Sequence, residues 1–185
     1  METKHTIYTG AAQQMSKVAD NSVELVVTSP PYPMIEMWDN IFGAQNSDTV
    51  VALQENRADV AFELMHAELD RVWDEVARVL VPGGIACINI GDATRTINGN
   101  FALYSNHSRI ISHFISHGFV NLPNIIWRKQ TNAPNKFMGS GMLPAGAYVT
   151  LEHEWILIFR KGGKREFKTS EDKQRRRESS FFWEE

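Results

Sequence analysis

Three short runs made almost wholly of apolar residues, Val23 to Thr28, Ile85 to Ile90 and Trp155 to Phe159, constrain this chain more than any other feature. A strand with one face in water alternates apolar and polar residues, so a run without alternation predicts a strand buried on both faces. Between the first two runs, Arg57 to Leu80 places Ala61, Met65, Leu69, Val72, Trp73 and Val76 at helical spacing, with Glu63, Glu68, Asp70 and Asp74 among them. That is a long amphipathic helix. A second helix spans Ser108 to Ser116, and Phe119 to Trp127 reads as an extended segment broken by Pro123. Buried strands alternating with helices predict an α/β fold, a mainly parallel, Rossmann-like sheet covered on both faces. Weaker signals suggest a strand at His5 to Tyr8 and a short helix at Ala11 to Val18. Pro82-Gly83-Gly84 is expected to end the long helix and admit the second strand, and Gln130 to Thr150 reads as a long loop.

At 43% apolar and 22% charged, 185 residues make a globular domain with a sizeable core and exclude disordered or collagen-like chains. The apolar runs fall far short of the roughly 20 residues needed to cross a bilayer, and the first residues have no signal-peptide core. A cytoplasmic protein without membrane contact is expected. The single cysteine, Cys87, permits no internal disulfide and no multi-cysteine metal cage. His113 and His117 are spaced i, i+4, but no third ligand is evident, so they read as a surface pair and no metal is expected. Charge is uneven: Arg160 to Arg177 carries nine Lys/Arg against three acids. Such a stretch, with Arg175, Arg176 and Arg177 at its end, is either a solvated tail or a contact for a phosphate backbone.

Directly after the first buried strand comes Ser29-Pro30-Pro31-Tyr32. Two prolines fix φ and remove two backbone donors, which leaves a stiff loop with outward carbonyls, a hydroxyl before them and an aromatic ring after. In α/β sheets ligands sit beyond the carboxyl ends of strands, where this loop and Gly91-Asp92 fall. The exocyclic nitrogen of cytosine or adenine is a poor nucleophile because its lone pair is delocalised into the ring. Acceptors such as Ser29 Oγ and the Pro30 carbonyl would hold its hydrogens while it pyramidalises, and Tyr32 would stack on a base that has left the duplex. Trp38 and Asp39 are candidates for walling the same pocket. A surface Pro-x-x-Pro ligand is the bland alternative, but such ligands do not usually continue from a buried strand.

Thr28-Ser29-Pro30-Pro31-Tyr32 after a buried strand, followed by Val79-Leu80-Val81-Pro82-Gly83-Gly84 at a helix-to-strand entry, resembles the amino-directed DNA methyltransferases. The resemblance covers roughly residues 5 to 163 and implies a methyltransferase sheet, incomplete in this chain. It implies S-adenosylmethionine as methyl donor, double-stranded DNA as substrate and N4 of a flipped cytosine as acceptor, with adenine N6 as the alternative. Ser29, Pro30, Pro31 and Tyr32 would be the catalytic loop, with Gly10, Thr28 and Asp92 as contacts for the donor. Ala11 stands where the family carries an acid after the glycine. Phe137-Met138-Gly139-Ser140-Gly141 mimics the family's cofactor loop but follows no apolar strand, so it reads as a decoy. Residues 1–163 would then form the catalytic-loop part and 164–185 a basic tail leading toward the missing region. That region is expected to be supplied in cis or by a second polypeptide; an inactive fragment that binds DNA or a partner is the competing reading. The Val23 to Thr28 strand is expected to expose a sheet edge.

Overall fold

The structure is a computed structural model, and it describes residues 4–129, 151–165 and 169–174. The long amphipathic pattern forms α3 (Ala58–Val79), preceded by α1 (Asp39–Gln45) and α2 (Ser47–Gln54). The sequence reading did not anticipate these two short helices. Asn46 caps α2, its side chain accepting from the Asp48 amide at 3.1 Å. Helix α4 (Asn106–Ser116) follows a hairpin of β3 (Ala93–Ile97) and β4 (Asn100–Tyr104). Asn98 and Gly99 turn that hairpin with φ of 49° and 76°, the left-handed pair that a tight two-residue turn requires.

In the main sheet β1 (Val23–Thr28) pairs with β2 (Leu80–Ile90), which pairs with β7 (His153–Lys161). Beyond β7 lie β5 (Phe119–Asn121) and β6 (Ile125–Arg128), two pieces of one edge. The break falls at Pro123, where the Asn124 side chain accepts from the Ile158 amide in place of backbone. The α/β class holds, but the expectation of a mainly parallel sheet is corrected. Only β1 and β2 pair in parallel, and every ladder to β7 is antiparallel. Four strands do point one way; β7, reversed, sits between them and takes part in most of the pairing. An apolar run reports burial and carries no information on direction.

Three further expectations change. Strand β2 begins at Leu80, five residues early, because Pro82-Gly83-Gly84 forms an irregularity inside the strand: Val23 faces Leu80, yet Leu25 faces Ile85. His5 to Tyr8 forms no strand and Ala11 to Val18 no helix, and Ile7 is 91% exposed. That segment is instead strapped to the end of α3: Glu75 accepts from the Met15 amide, and Arg78 donates to the Met15 and Val18 carbonyls and to Asp20. The start of the basic stretch is also tied down, Lys161 Nζ donating to Asn21 and the Leu80 carbonyl and Arg165 pairing with Glu24 at 2.7 Å.

Helices α3 and α4 cover one face of the sheet. Met65, Leu69, Trp73 and Val76 of α3 and Ile110 and Phe114 of α4 join Ala86, Ile88, Leu157 and Phe159 in the core. Phe114 stacks on Phe159 with centroids 4.2 Å apart. The other face carries Leu25, Val27, Val120, Ile125 and Trp127, all substantially exposed, and nothing covers it among the described residues. Among the described residues, burial on both faces is therefore corrected to burial on one, and β1 is an edge strand paired only with β2. No helix among the described residues is long and apolar enough to cross a membrane.

Candidate active site

Thr28 pairs with Ile88 at the carboxyl end of β1, so the Ser29–Tyr32 loop emerges beside the end of β2, where Asn89, Gly91 and Asp92 lie. The Tyr32 ring crosses Gly91 so closely that a Cβ there would sit 3.0 Å from its Cε2. Any larger residue there would require the ring to shift by a few tenths of an ångström. The Tyr32 hydroxyl donates to Glu154 Oε2 at 3.1 Å and accepts from Asn89 Nδ2 at 2.8 Å. Because its one hydrogen goes to the carboxylate, the Ser29 hydroxyl 3.3 Å away must be the donor of that pair. The lone pairs of Ser29 Oγ are thereby left for another donor. Glu154 also accepts from Asn89 at 2.7 Å and pairs with Lys129 at 3.0 Å, whose ammonium lies 4.2 Å from the centre of the Trp127 ring. Burial works to raise the Glu154 carboxyl, but the donors Asn89, Lys129 and Tyr32 outweigh it and hold the group below the usual carboxylate range. Burial pushes the Tyr32 phenol up, so it stays protonated.

On the helical side the loop is held by Asn106, fully buried at the start of α4. Its Nδ2 donates to the Pro33 carbonyl at 3.0 Å and to the Gly91 carbonyl at 2.9 Å, joining the ends of the two strand-loop segments. With both amide hydrogens spent, Oδ1 accepts from His66 Nε2 at 3.0 Å. Burial lowers His66 to about 4, so the ring is neutral and Nε2 carries its hydrogen. Met34, the residue after Pro33, is buried in a left-handed conformation, φ 66°. A non-glycine residue held there stores backbone strain, and the Asn106 anchor is one of the contacts that keeps it.

Outside these anchors, Ser29, Pro31, Tyr32, Ile35, Met37 and Trp38 line an open cavity of about 500 Å³. Trp38 lines this cavity and also packs against the hydrophobic core. Asp39 does not: both its oxygens are taken by Arg95, at 2.8 and 2.7 Å, which clamps the segment after the loop to β3. Asp92 accepts from the His107 amide at 3.1 Å and from His107 Nδ1 at 2.7 Å, and His107 stacks on Trp155. It caps α4, and its carboxylate is already engaged. Thr28 and Asp92 stand near the loop, but Gly10 is not brought there; it lies in an exposed segment anchored at the amino ends of the strands. Phe137 to Gly141 and Arg175 to Arg177 lie outside the described residues. Sequence reasoning missed Asn89, Glu154, Lys129, His66 and Asn106, which meet only through contacts across as many as 122 residues.

A methyl donor with an amino-acid end and a ribose needs free backbone donors at a glycine-rich strand-to-helix turn. Among the described residues two helices begin near the loop, α1 directly after Trp38 and α4, whose His107 amide is already bonded to Asp92; neither starts from a glycine-rich turn at the end of a strand.

The family model for the N6/N4 DNA methylases matches residues 23–183. The chain is 55% identical over its whole length to the type II methyltransferase M.MthZI of Methanothermobacter thermautotrophicus, covering 52% of that protein. It is 56% identical over 90% of its length to M.MjaI of Methanocaldococcus jannaschii, covering 58% of it. Among solved structures, TTHA0409 of Thermus thermophilus, described as a DNA modification methylase and complexed with S-adenosylmethionine, aligns with a TM-score of 0.63 at 32% identity over 94% of this chain and 63% of its own. The PvuII cytosine-N4-specific DNA methyltransferase shares the fold, with a TM-score of 0.53 at 19% identity over 86% of this chain and 50% of its own. The chain thus spans between about half and two thirds of the length of each of these relatives. With its loop at the ends of two parallel strands and a family match over most of its length, this chain belongs to the N6/N4 DNA methylase family.

Proposed function

We propose that this chain is the catalytic-loop part, residues 1–163, of a DNA amino-methyltransferase that methylates N4 of a cytosine flipped out of double-stranded DNA. The observation that carries this reading is the Ser29–Tyr32 loop beside an open cavity, with the Ser29 hydrogen committed to Tyr32 and its lone pairs free. An exocyclic amine entering there would donate its hydrogens to Ser29 Oγ and the Pro30 carbonyl, which draws its lone pair out of conjugation toward the methyl group. Tyr32, held by Asn89 and Glu154, would bear on the base, and Trp38 would close the far wall. S-adenosylmethionine, the family's donor, supplies an already reactive methyl group; Thr28 and Asp92, beside the loop, are the contacts proposed for it. Adenine N6 is the alternative acceptor.

The bare sheet face and the free β1 edge would be covered by the further length that the relatives possess, in the same chain or a separate one. Arg175 to Arg177 would contact phosphates, and an inactive fragment that only binds DNA is the competing reading. The deciding experiment incubates the chain, alone and with that further portion, with labelled donor and DNA, followed by nucleoside analysis. N4-methylcytosine supports the proposal, N6-methyladenine moves the acceptor, and no product in either mixture rejects an enzyme. In the active mixture Ser29→Ala should lower turnover by about tenfold or more while leaving DNA affinity unchanged. Equal turnover removes the role given to Ser29. Calorimetry on the 185-residue chain should show donor binding weaker than micromolar; tight binding would locate a cradle outside the described residues.

A further inference from the structure

Far from the loop, the last turn of α4 lies against α3 at Asp70 and Asp74. His113 and His117, one helical turn apart, stack with ring centroids 4.2 Å apart. His113 Nδ1 is 3.0 Å from Asp70 Oδ1, and His117 Nδ1 is 2.9 Å from the His113 carbonyl oxygen. Carboxylate and carbonyl oxygens only accept, so each Nδ1 carries a hydrogen and the lone pair of each neutral ring lies on Nε2. Both Nε2 atoms converge on one oxygen, Asp74 Oδ1, at 3.2 and 3.1 Å.

A lone pair aimed at a carboxylate oxygen is repulsive unless a proton or a metal ion lies between. Protonating both rings would stack two cations at 4.2 Å. One divalent ion satisfies both rings and the carboxylate together. The three ligand atoms lie within 4.8 Å of one another, and tetrahedral zinc with bonds near 2.0–2.1 Å sets its ligands about 3.3 Å apart. Asp70, fixed in turn by Arg109 at 2.7 Å, orients His113 as an outer carboxylate orients a ligating histidine. The position is also the carboxyl end of a helix, where the backbone dipole favours positive charge. His117 and Asp74 have 41% and 55% exposed side chains, which leaves room for water as a remaining ligand.

We infer that Asp74 Oδ1, His113 Nε2 and His117 Nε2 form a binding site for a borderline divalent transition metal, Zn²⁺ in the first instance. The ion would pin the end of α4 to α3, and α4 begins with Asn106, the anchor of the loop. Residues from both helices are needed, which is why the i, i+4 histidine pair alone did not reveal the site.

The test titrates ZnCl₂ into the untagged, chelator-treated 185-residue chain, with calorimetry and thermal melting as readouts and Mg²⁺ as the hard-cation control. One site with a dissociation constant of about 10 μM or tighter is expected, with a rise in melting temperature that a chelator reverses. Mg²⁺ should give neither. His117→Gln and Asp74→Asn, both at exposed positions, should melt like the wild type without zinc and bind it at least about tenfold more weakly. Asp70→Asn, which keeps all three ligands, should weaken binding by a similar factor. Absence of saturable binding below about 100 μM, or unchanged affinity in the Asp74→Asn/His117→Gln double variant, overturns the inference.

Discussion

The two faces of the main sheet are made of similar residues and meet opposite fates. On one, Ala86, Ile88, Leu157 and Phe159 are sealed beneath α3 and α4; on the other, Leu25, Val27, Ile125 and Trp127 stand in contact with water. The Ser29–Tyr32 loop is gripped from both sides, and the grips differ accordingly. From the sealed side Asn106 holds backbone carbonyls through fully buried bonds, which fixes where the loop runs. From the bare side Glu154 and Asn89 hold only the tip of Tyr32, within a charged network that ends at the half-buried Lys129. Stability and loop geometry therefore come from the sealed face. The bare face is left to position a side chain and to meet whatever covers it.

Four measurements can break or sharpen this contrast. The largest effect is expected for Trp73→Ala, at about 3 to 5 kcal/mol in denaturant unfolding. The Trp73 indole nitrogen has no hydrogen-bond partner among the described residues, so the loss is one of packing, and a cost below about 1 kcal/mol would show that α3 is not the seal. Asn106→Ala comes next, at about 2 to 4 kcal/mol, because it strands the Pro33 and Gly91 carbonyls and His66 Nε2 together.

Acidity probes the same buried side. His66 falls from 6.5 to about 4 in the folded chain, so above pH 6.5 both states are neutral and it costs nothing. As pH falls from 6.5 toward 4 the unfolded chain takes up a proton that the folded one refuses, and stability drops by up to about 3 kcal/mol. His66→Gln should flatten that portion of the stability profile relative to the wild type; an unchanged slope would mean that the ring is not sealed. The smallest effect is expected for Val27→Thr on the bare face, within about 0.5 kcal/mol for the chain alone. A loss like that of Trp73→Ala would mean that the face is already covered.

Much of the architecture was legible in order along the chain. The unbroken apolar runs marked β1, β2 and β7, the 3.6-residue spacing marked α3 and α4, and Ser29-Pro30-Pro31-Tyr32 marked the loop at the right end of β1. Other signals were present and unread, such as Asn98-Gly99, which turns the β3–β4 hairpin, and Asn46 before α2. Still others misled: the segment around Ile7 has some strand character but pairs with no strand among the described residues.

What the sequence by itself determined is what each segment can locally become and which residues avoid water, because periodicity, proline and turn residues act over a few neighbours. Only the tertiary structure decided that β7 runs backwards through the middle of the sheet. It alone brought Glu154 to a tyrosine 122 positions away and set Asp74 against two histidines at the end of another helix. A side chain's spacing tells which face of its own element it occupies. The partner on the facing element depends on how the whole core packs, and no local pattern records that.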